Sequence, residues 1–274
     1  MNKPLILQLA PHRLRQSITS RFYLGRYDKW RNLFEVAPLA FCPHISMYNL
    51  VPGDIISGHI AFNGFYELDL SREIARLSRN GNLFVDVGAN MGYFSLLWAG
   101  MNARGRVIAF EAAPRCIKLI GHNIVQNRLA DRITLVAKAA GHQTGTARFN
   151  TGPIEQTGWG GISNDISDDS VEVQVVRLDE ELPDTTIDVL KIDVEGADTW
   201  VLYGCEKLLR QRRIHKIFFE QNNARMAELG IGANEAGDFL ASVGYACIPF
   251  GRGGDEWVAY PNRAQMAHQD KGAQ

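Results

Sequence analysis

The chain has 274 residues and a mass of 30.5 kDa, which fits one large α/β domain or one and a half smaller ones. Apolar residues make up 46% and charged residues 22%, which excludes disordered and collagen-like chains. Lys+Arg 29 against Asp+Glu 30 leaves a net charge of −1 and a pI of about 6.7, so no basic surplus marks nucleic acid as the partner.

No apolar run reaches the ~18 residues that a membrane span needs. Residues 4–10 look faintly like a signal sequence, but Gln8 interrupts them and His12-Arg-Leu-Arg15 follows where small residues belong. The four cysteines, Cys42, Cys116, Cys205 and Cys247, lie far apart with no C-x-x-C pair. No zinc ribbon or disulfide framework is expected from them, and the reading is a soluble, cytoplasmic protein.

Residues 1–80 show no strand–helix rhythm. They mix aromatics with turn signals such as Val51-Pro-Gly-Asp54, and residues 71–78 read as an amphipathic helix with Ser71 at its N-cap. From Leu83 the pattern becomes βα alternation: a buried strand over 83–87, a helix over 93–99, a strand over 106–110. Pro114 then opens a helix that runs toward Asn127, and residues 133–136 make a third strand. Strands over 146–150 and 171–175 flank a glycine- and serine-rich loop, a length that is usually functional or mobile. The rhythm resumes with a strand over 187–192, a helix over 197–209 and a strand over 214–219. A helix over 234–243 and strands over 245–249 and 257–260 follow. The last two are joined too tightly for a crossover and form an antiparallel hairpin at one edge. The expected organisation is an N-terminal extension (1–80) that caps the acceptor side, an α/β domain (81–260) and a polar tail (261–274). The sheet is doubly wound and mostly parallel.

Three segments carry chemistry. Asp86-Val-Gly-Ala-Asn-Met-Gly92 lies between a strand and a helix, with Gly88 and Gly92 placed for a sharp turn and close ligand approach. Asn90 breaks the dinucleotide fingerprint, and Asp86 would repel a pyrophosphate but suits an ammonium or sulfonium. Glu111 ends the next strand, where an acid can accept the two hydroxyls of a ribose. In Asp188-Val-Leu-Lys-Ile-Asp-Val-Glu-Gly196, strand alternation places Lys191 and Asp193 on one side, with Asp193 at the carboxyl end where ligands bind. Asp193 and Glu195 either serve an acceptor hydroxyl or a cation, or merely cap the next helix. Glu220, ending a later strand, is a third candidate acid or base. Trp159 in Gly158-Trp-Gly-Gly161 is a candidate acceptor wall, and His44 and His59 are candidate acceptor contacts or partly buried histidines.

With Phe110-Glu111, Pro114 and Leu178-Asp179, these segments resemble the FkbM family of S-adenosylmethionine-dependent methyltransferases, Lys191-Ile-Asp-Val-Glu-Gly-Ala197 being the most specific stretch. The resemblance runs from about Gly64 to Tyr245. It implies a class I Rossmann-like fold, S-adenosylmethionine as cofactor, and O-methylation of a sugar or polyketide-type acceptor. On this resemblance the cofactor residues are Asp86, Gly88, Ala89, Asn90, Gly92, Tyr93, Phe94 and Glu111, with Glu67 of Phe65-Tyr-Glu67 closing over them. Ala112-Ala113 departs from the Pro-Asn pattern of many members. Asp193 is the first candidate base, then Glu195, then Glu220, with no divalent metal expected. A nicotinamide-dependent oxidoreductase and a non-catalytic cofactor-binding regulator are the alternatives.

Overall fold

The computed structural model describes residues 3–163 and 170–262; the expected polar tail beyond 262 and part of the serine-rich loop lie outside them. The N-terminal segment is helical, with helices Leu5–Leu9, His12–Phe22, Asn32–Glu35 and Ile55–Asn63 around a short antiparallel pair, β1 (Val36–Pro38) and β2 (Ser46–Tyr48). Asp54, from the predicted turn, caps Ile55–Asn63 by accepting from Ser57 N–H at 2.7 Å. The next helix is Leu68–Ser78, three residues longer at its start than the spacing predicts. Ser71 is not its N-cap. Its hydroxyl lies inside the helix, donating to the Tyr66 carbonyl and meeting the Tyr93 hydroxyl at 2.9 Å, while Glu67 takes the cap position at φ 42°.

β3 (Leu83–Val87), β4 (Arg106–Phe110) and β5 (Ile133–Val136) fall where alternation places them, as do the helices Tyr93–Met101 and Pro114–Gln126. A second sheet of four strands interrupts the rhythm. It contains β6 (Ala139–Ala140), β7 (Gly145–Asn150), β8 (Gly161–Ile162) and β9 (Ser170–Val176), in the order β6-β9-β7-β8, with β7 and β9 antiparallel. β10 (Val189–Ile192), β11 (Ile217–Glu220), β12 (Tyr245–Pro249) and β13 (Glu256–Pro261) then complete a seven-stranded sheet in the order β12-β13-β11-β10-β3-β4-β5. β10 is parallel to both β3 and β11, β4 is parallel to β5, and the β12–β13 hairpin is antiparallel, as the tight connection requires. This is an α/β fold with a mostly parallel sheet, whose central strands are buried on both faces and read as apolar runs.

The helix expected over 197–209 is two, Asp198–Tyr203 and Glu206–Arg210. Asp179 explains the break. Its buried carboxylate holds Arg177 in a bidentate pair at 3.0 and 2.7 Å and accepts from Lys207 N–H at 3.1 Å, capping the second piece from outside the helix. Among the described residues no helix is long and apolar enough to cross a membrane, and the four cysteines are free thiols.

The chain divides into two compact units. One comprises residues 1–82, 89–137 and 151–160; the other comprises residues 83–88, 138–150 and 161–274.

Candidate functional site

In the first unit the centre is Glu111, 6% exposed, at the end of β4. One carboxylate oxygen accepts from Ala112 and Ala113 N–H at 2.9 and 2.8 Å, and the other accepts from Asn90 N–H at 2.6 Å. Asn90 can offer its N–H there because it adopts the left-handed region, φ 50°, which Asn tolerates better than most residues. Gly92, also left-handed, starts the helix Tyr93–Met101; an added Cβ would stand 2.7 Å from Ile120 Cγ1. Tyr93 and Phe94 are buried in that first turn, and burial pushes the Tyr93 hydroxyl's pKa up.

The loop 151–160 is tied down in the same unit. Arg115, one residue into its helix, donates to the carbonyls of Thr151, Pro153 and Gln156 at 2.7, 2.6 and 2.5 Å. The second oxygen of Asp54 accepts from Thr157 N–H at 2.8 Å. Gly158 follows beside Asn90, so that a Cβ there would lie 3.9 Å from Asn90 Nδ2. Trp159 is half exposed. His59 is largely buried against Asn63, and burial pushes its pKa down to about 4, so it is neutral at ordinary pH. His44 is elsewhere. It is exposed and touches Cys42, which packs at Gly100, the far end of the helix that Asn90 and Gly92 introduce.

The second unit holds the other carboxylates. Parallel register sets Lys191 of β10 opposite Asp86 of β3, both buried, with Nζ 3.8 Å from Asp86 Oδ1 and 3.1 Å from Asp193 Oδ2. The predicted alternation is therefore present. Gly88 is needed because a Cβ would overlap the Asp193 carbonyl oxygen. The glycines at 88 and 92 thus admit the protein's own atoms.

Neither Asp193 nor Glu195 caps the following helix. The N-cap position is Ala197 and no side chain caps it; Asp198, which the sequence reading passed over, instead has a buried carboxylate that accepts from Val194 N–H at 3.4 Å and Glu220 N–H at 3.1 Å. Burial, then the charge of Asp193, raises the Asp198 pKa to about 7. Glu195 is left-handed, φ 55°, a conformation that costs a non-glycine residue of order 1–3 kcal/mol. Burial first, then the charges of Asp193 and Asp198, raise its pKa to about 7 against the lowering by Arg225. Glu195 lines a cavity of about 50 Å³ together with Asn150, Gly161, Ile162, Ser163, Arg225, Glu228 and Leu229. Arg225 Nε stands 4.0 Å from Glu195 Oε2. Glu220 ends β11 and meets this cluster through its N–H on Asp198. Among the described residues no three His, Cys, Asp or Glu side chains gather as a metal would require.

An α/β sheet with acidic residues at the carboxyl ends of β3, β4 and β10 is the arrangement of a Rossmann-like ligand-binding protein. The Methyltransferase FkbM domain matches residues 86–247, and the chain belongs to that family. Methyltransferase sdnD of Sordaria araneosa is 28% identical over 167 residues, which is 49% of this chain and 64% of sdnD, so the match spans less than two thirds of that relative. Two solved structures are similar at 10% identity. A putative caffeoyl-CoA O-methyltransferase from Staphylococcus aureus has a TM-score of 0.46 over 91% of this chain and 98% of its own. The SAH-bound methyltransferase PaMTH1 of Podospora anserina has a TM-score of 0.45 over 70% and 78%.

Proposed function

We propose that this protein transfers the methyl group of S-adenosylmethionine to a hydroxyl of a small-molecule or glycan acceptor. The observation that carries the reading is Glu195, a carboxylate of the Lys191–Gly196 segment that lines a cavity, with its pKa raised to about 7. A general base works best with a pKa near the working pH. Asp193, first in the sequence ranking, is engaged by Lys191 and takes the role of a positioning residue.

The residues present fit the cofactor. Glu111 is a buried carboxylate oriented by the N–H groups of Asn90, Ala112 and Ala113 just past β4, the place from which an acid reaches a ribose hydroxyl. The backbone from Ala89 to Gly92 is the segment offered to the amino-acid end. Asp86, 1% exposed, acts in this reading through Lys191 and the turn. When bound, S-adenosylmethionine supplies an electrophilic methyl on a sulfonium, open to in-line displacement by an oxygen nucleophile.

What the chain does is align and deprotonate. Holding two reactants in line is worth up to ~7–11 kcal/mol in favourable systems. Glu195, ionised above its pKa of about 7, accepts the acceptor's hydroxyl proton as the C–O bond forms, while Asn150, Ser163 and Arg225 offer hydrogen bonds to the acceptor's other oxygens. No metal takes part in this scheme.

The test pairs calorimetry with a transfer assay. S-adenosylmethionine should bind at micromolar concentration, and labelled methyl should appear on oxygen when hydroxylated acceptors are screened, with rates unchanged by a chelator. Binding without transfer to any of them would leave a cofactor-binding regulator. Methyl found on nitrogen or carbon would overturn the hydroxyl assignment.

A further inference from the structure

Charge is unevenly spread along this nearly neutral chain. Residues 1–31 hold seven Lys/Arg and one Asp, whereas the remaining 243 residues hold 22 Lys/Arg against 29 Asp/Glu. The same stretch concentrates exposed apolar side chains. Of twelve large hydrophobic residues exposed among those described, five are Leu5, Ile6, Leu9, Leu14 and Phe22, each at least half exposed and Leu9 at 77%.

Helical geometry organises them. At about 100° per residue, Leu5, Ile6 and Leu9 fall within one arc of about 100°, opposite Leu7, which is buried in the core. On His12–Phe22 the exposed positions include Arg13, Leu14 and Arg21, while Arg15 turns inward to the carbonyls of Ala10 and Asn63. Arg13 stays 57% exposed although Asp69 lies 3.8 Å away. Within this helix Leu14 thus shares an outer arc of about 100° with the cations Arg13 and Arg21.

We propose that the helices Leu5–Leu9 and His12–Phe22 dock this protein on an anionic lipid surface. Leu5, Ile6, Leu9 and Leu14 enter the boundary between headgroups and acyl chains, and Arg13 and Arg21 meet the headgroup phosphates. Interfacial helices combine these two features, apolar area for insertion and basic residues for attraction. Nucleic acid would use the cations but give the leucines nothing, and two copies meeting through this segment would bring two charges of +6 together. The docking is peripheral, since neither helix is long enough to span. It stands independently of the methyl-transfer reading.

The test is co-sedimentation of the full chain with vesicles of phosphatidylcholine alone and with about 30% phosphatidylglycerol. Binding is expected only to the anionic vesicles and should weaken with salt. Leu5→Ser/Ile6→Ser/Leu9→Ser should lower the partition by about a hundredfold or more, since three aliphatic side chains no longer leave water. Arg13→Gln/Arg21→Gln should lower it by less, at roughly fivefold per cation. A thermal melt and S-adenosylmethionine binding check folding; if the leucine variant is unfolded, the arginine variant decides alone. Equal binding to both vesicle types, or an unchanged partition in the arginine variant, overturns the proposal. So does equally tight, salt-sensitive binding to a short DNA duplex, or a dimer in vesicle-free solution that the leucine variant abolishes.

Discussion

Two glutamates sit just past the carboxyl ends of parallel strands in opposite surroundings. Glu111, after β4, is met by three backbone N–H groups at 2.6 to 2.9 Å. Glu195, after β10, is crowded by Asp193 and Asp198, with Arg225 opposing at 4.0 Å. The first environment fixes a carboxylate as a receptor, because charge-assisted bonds to the main chain orient it. The second leaves the proton negotiable, because desolvation and like charges both favour the neutral acid. In the function proposed above, these identical side chains past two strand ends hold a ligand in one case and move a proton in the other.

The sharpest way to break this contrast is Glu195→Gln, which removes the titrating group and keeps its shape. Turnover should fall by about 10²-fold or more, from the usual worth of a general base, with S-adenosylmethionine affinity nearly unchanged. If Asp193→Asn costs as much while Glu195→Gln is mild, the base is Asp193 and the contrast fails.

Glu111→Ala probes the other side. Losing a charged acceptor should weaken S-adenosylmethionine by about tenfold or more in calorimetry, at roughly 1.5–3 kcal/mol for such a bond. A folded variant with unchanged affinity would remove Glu111 from the cofactor site. Trp159→Ala should act more gently, raising the acceptor KM by about threefold, an aromatic contact's typical worth, with cofactor affinity intact. Weaker cofactor binding with an unchanged KM would instead assign the loop to the cofactor.

The smallest effect is on stability. Glu195 and Asp198 have folded pKa values near 7, above the ordinary carboxylate range, so the fold binds more protons than the unfolded chain between about pH 4 and 7. Their contribution to stability is therefore lost as pH rises through that window. The melting temperature should decline from pH 5 to pH 8 by less in Glu195→Gln than in the parent. An identical decline in both would show that Glu195 does not titrate there. Turnover should run the other way, rising with pH up to about 7.

Much of the fold is legible in the chain because its strongest signals are local. Apolar runs of four or five residues, Pro114 at a first helical position and the tight 250–256 connection each act over a few residues, and the structure places β3, β4, β5 and the terminal hairpin accordingly. Lys191 beside Asp193 follows from alternation alone. Where the reading failed, the partner was distant in sequence. Ser71 looked like a cap but serves Tyr66 and Tyr93. The 197–209 helix breaks because Asp179, twenty-eight residues before Lys207, caps its second half.

The sequence by itself determined the βα alternation from β3 to β5, the terminal hairpin, the family to which residues 86–247 belong, and the candidate carboxylates. Only the tertiary structure decided what surrounds each carboxylate. It gave Glu111 its three donors, put Asp198 rather than Asp193 or Glu195 under the backbone of Val194 and Glu220, and left Glu195 at the cavity. It also put Asp193 carbonyl oxygen where a Gly88 side chain would be. The physical reason is that periodicity records which way a side chain points, whereas burial and neighbouring charge depend on what the rest of the chain brings alongside.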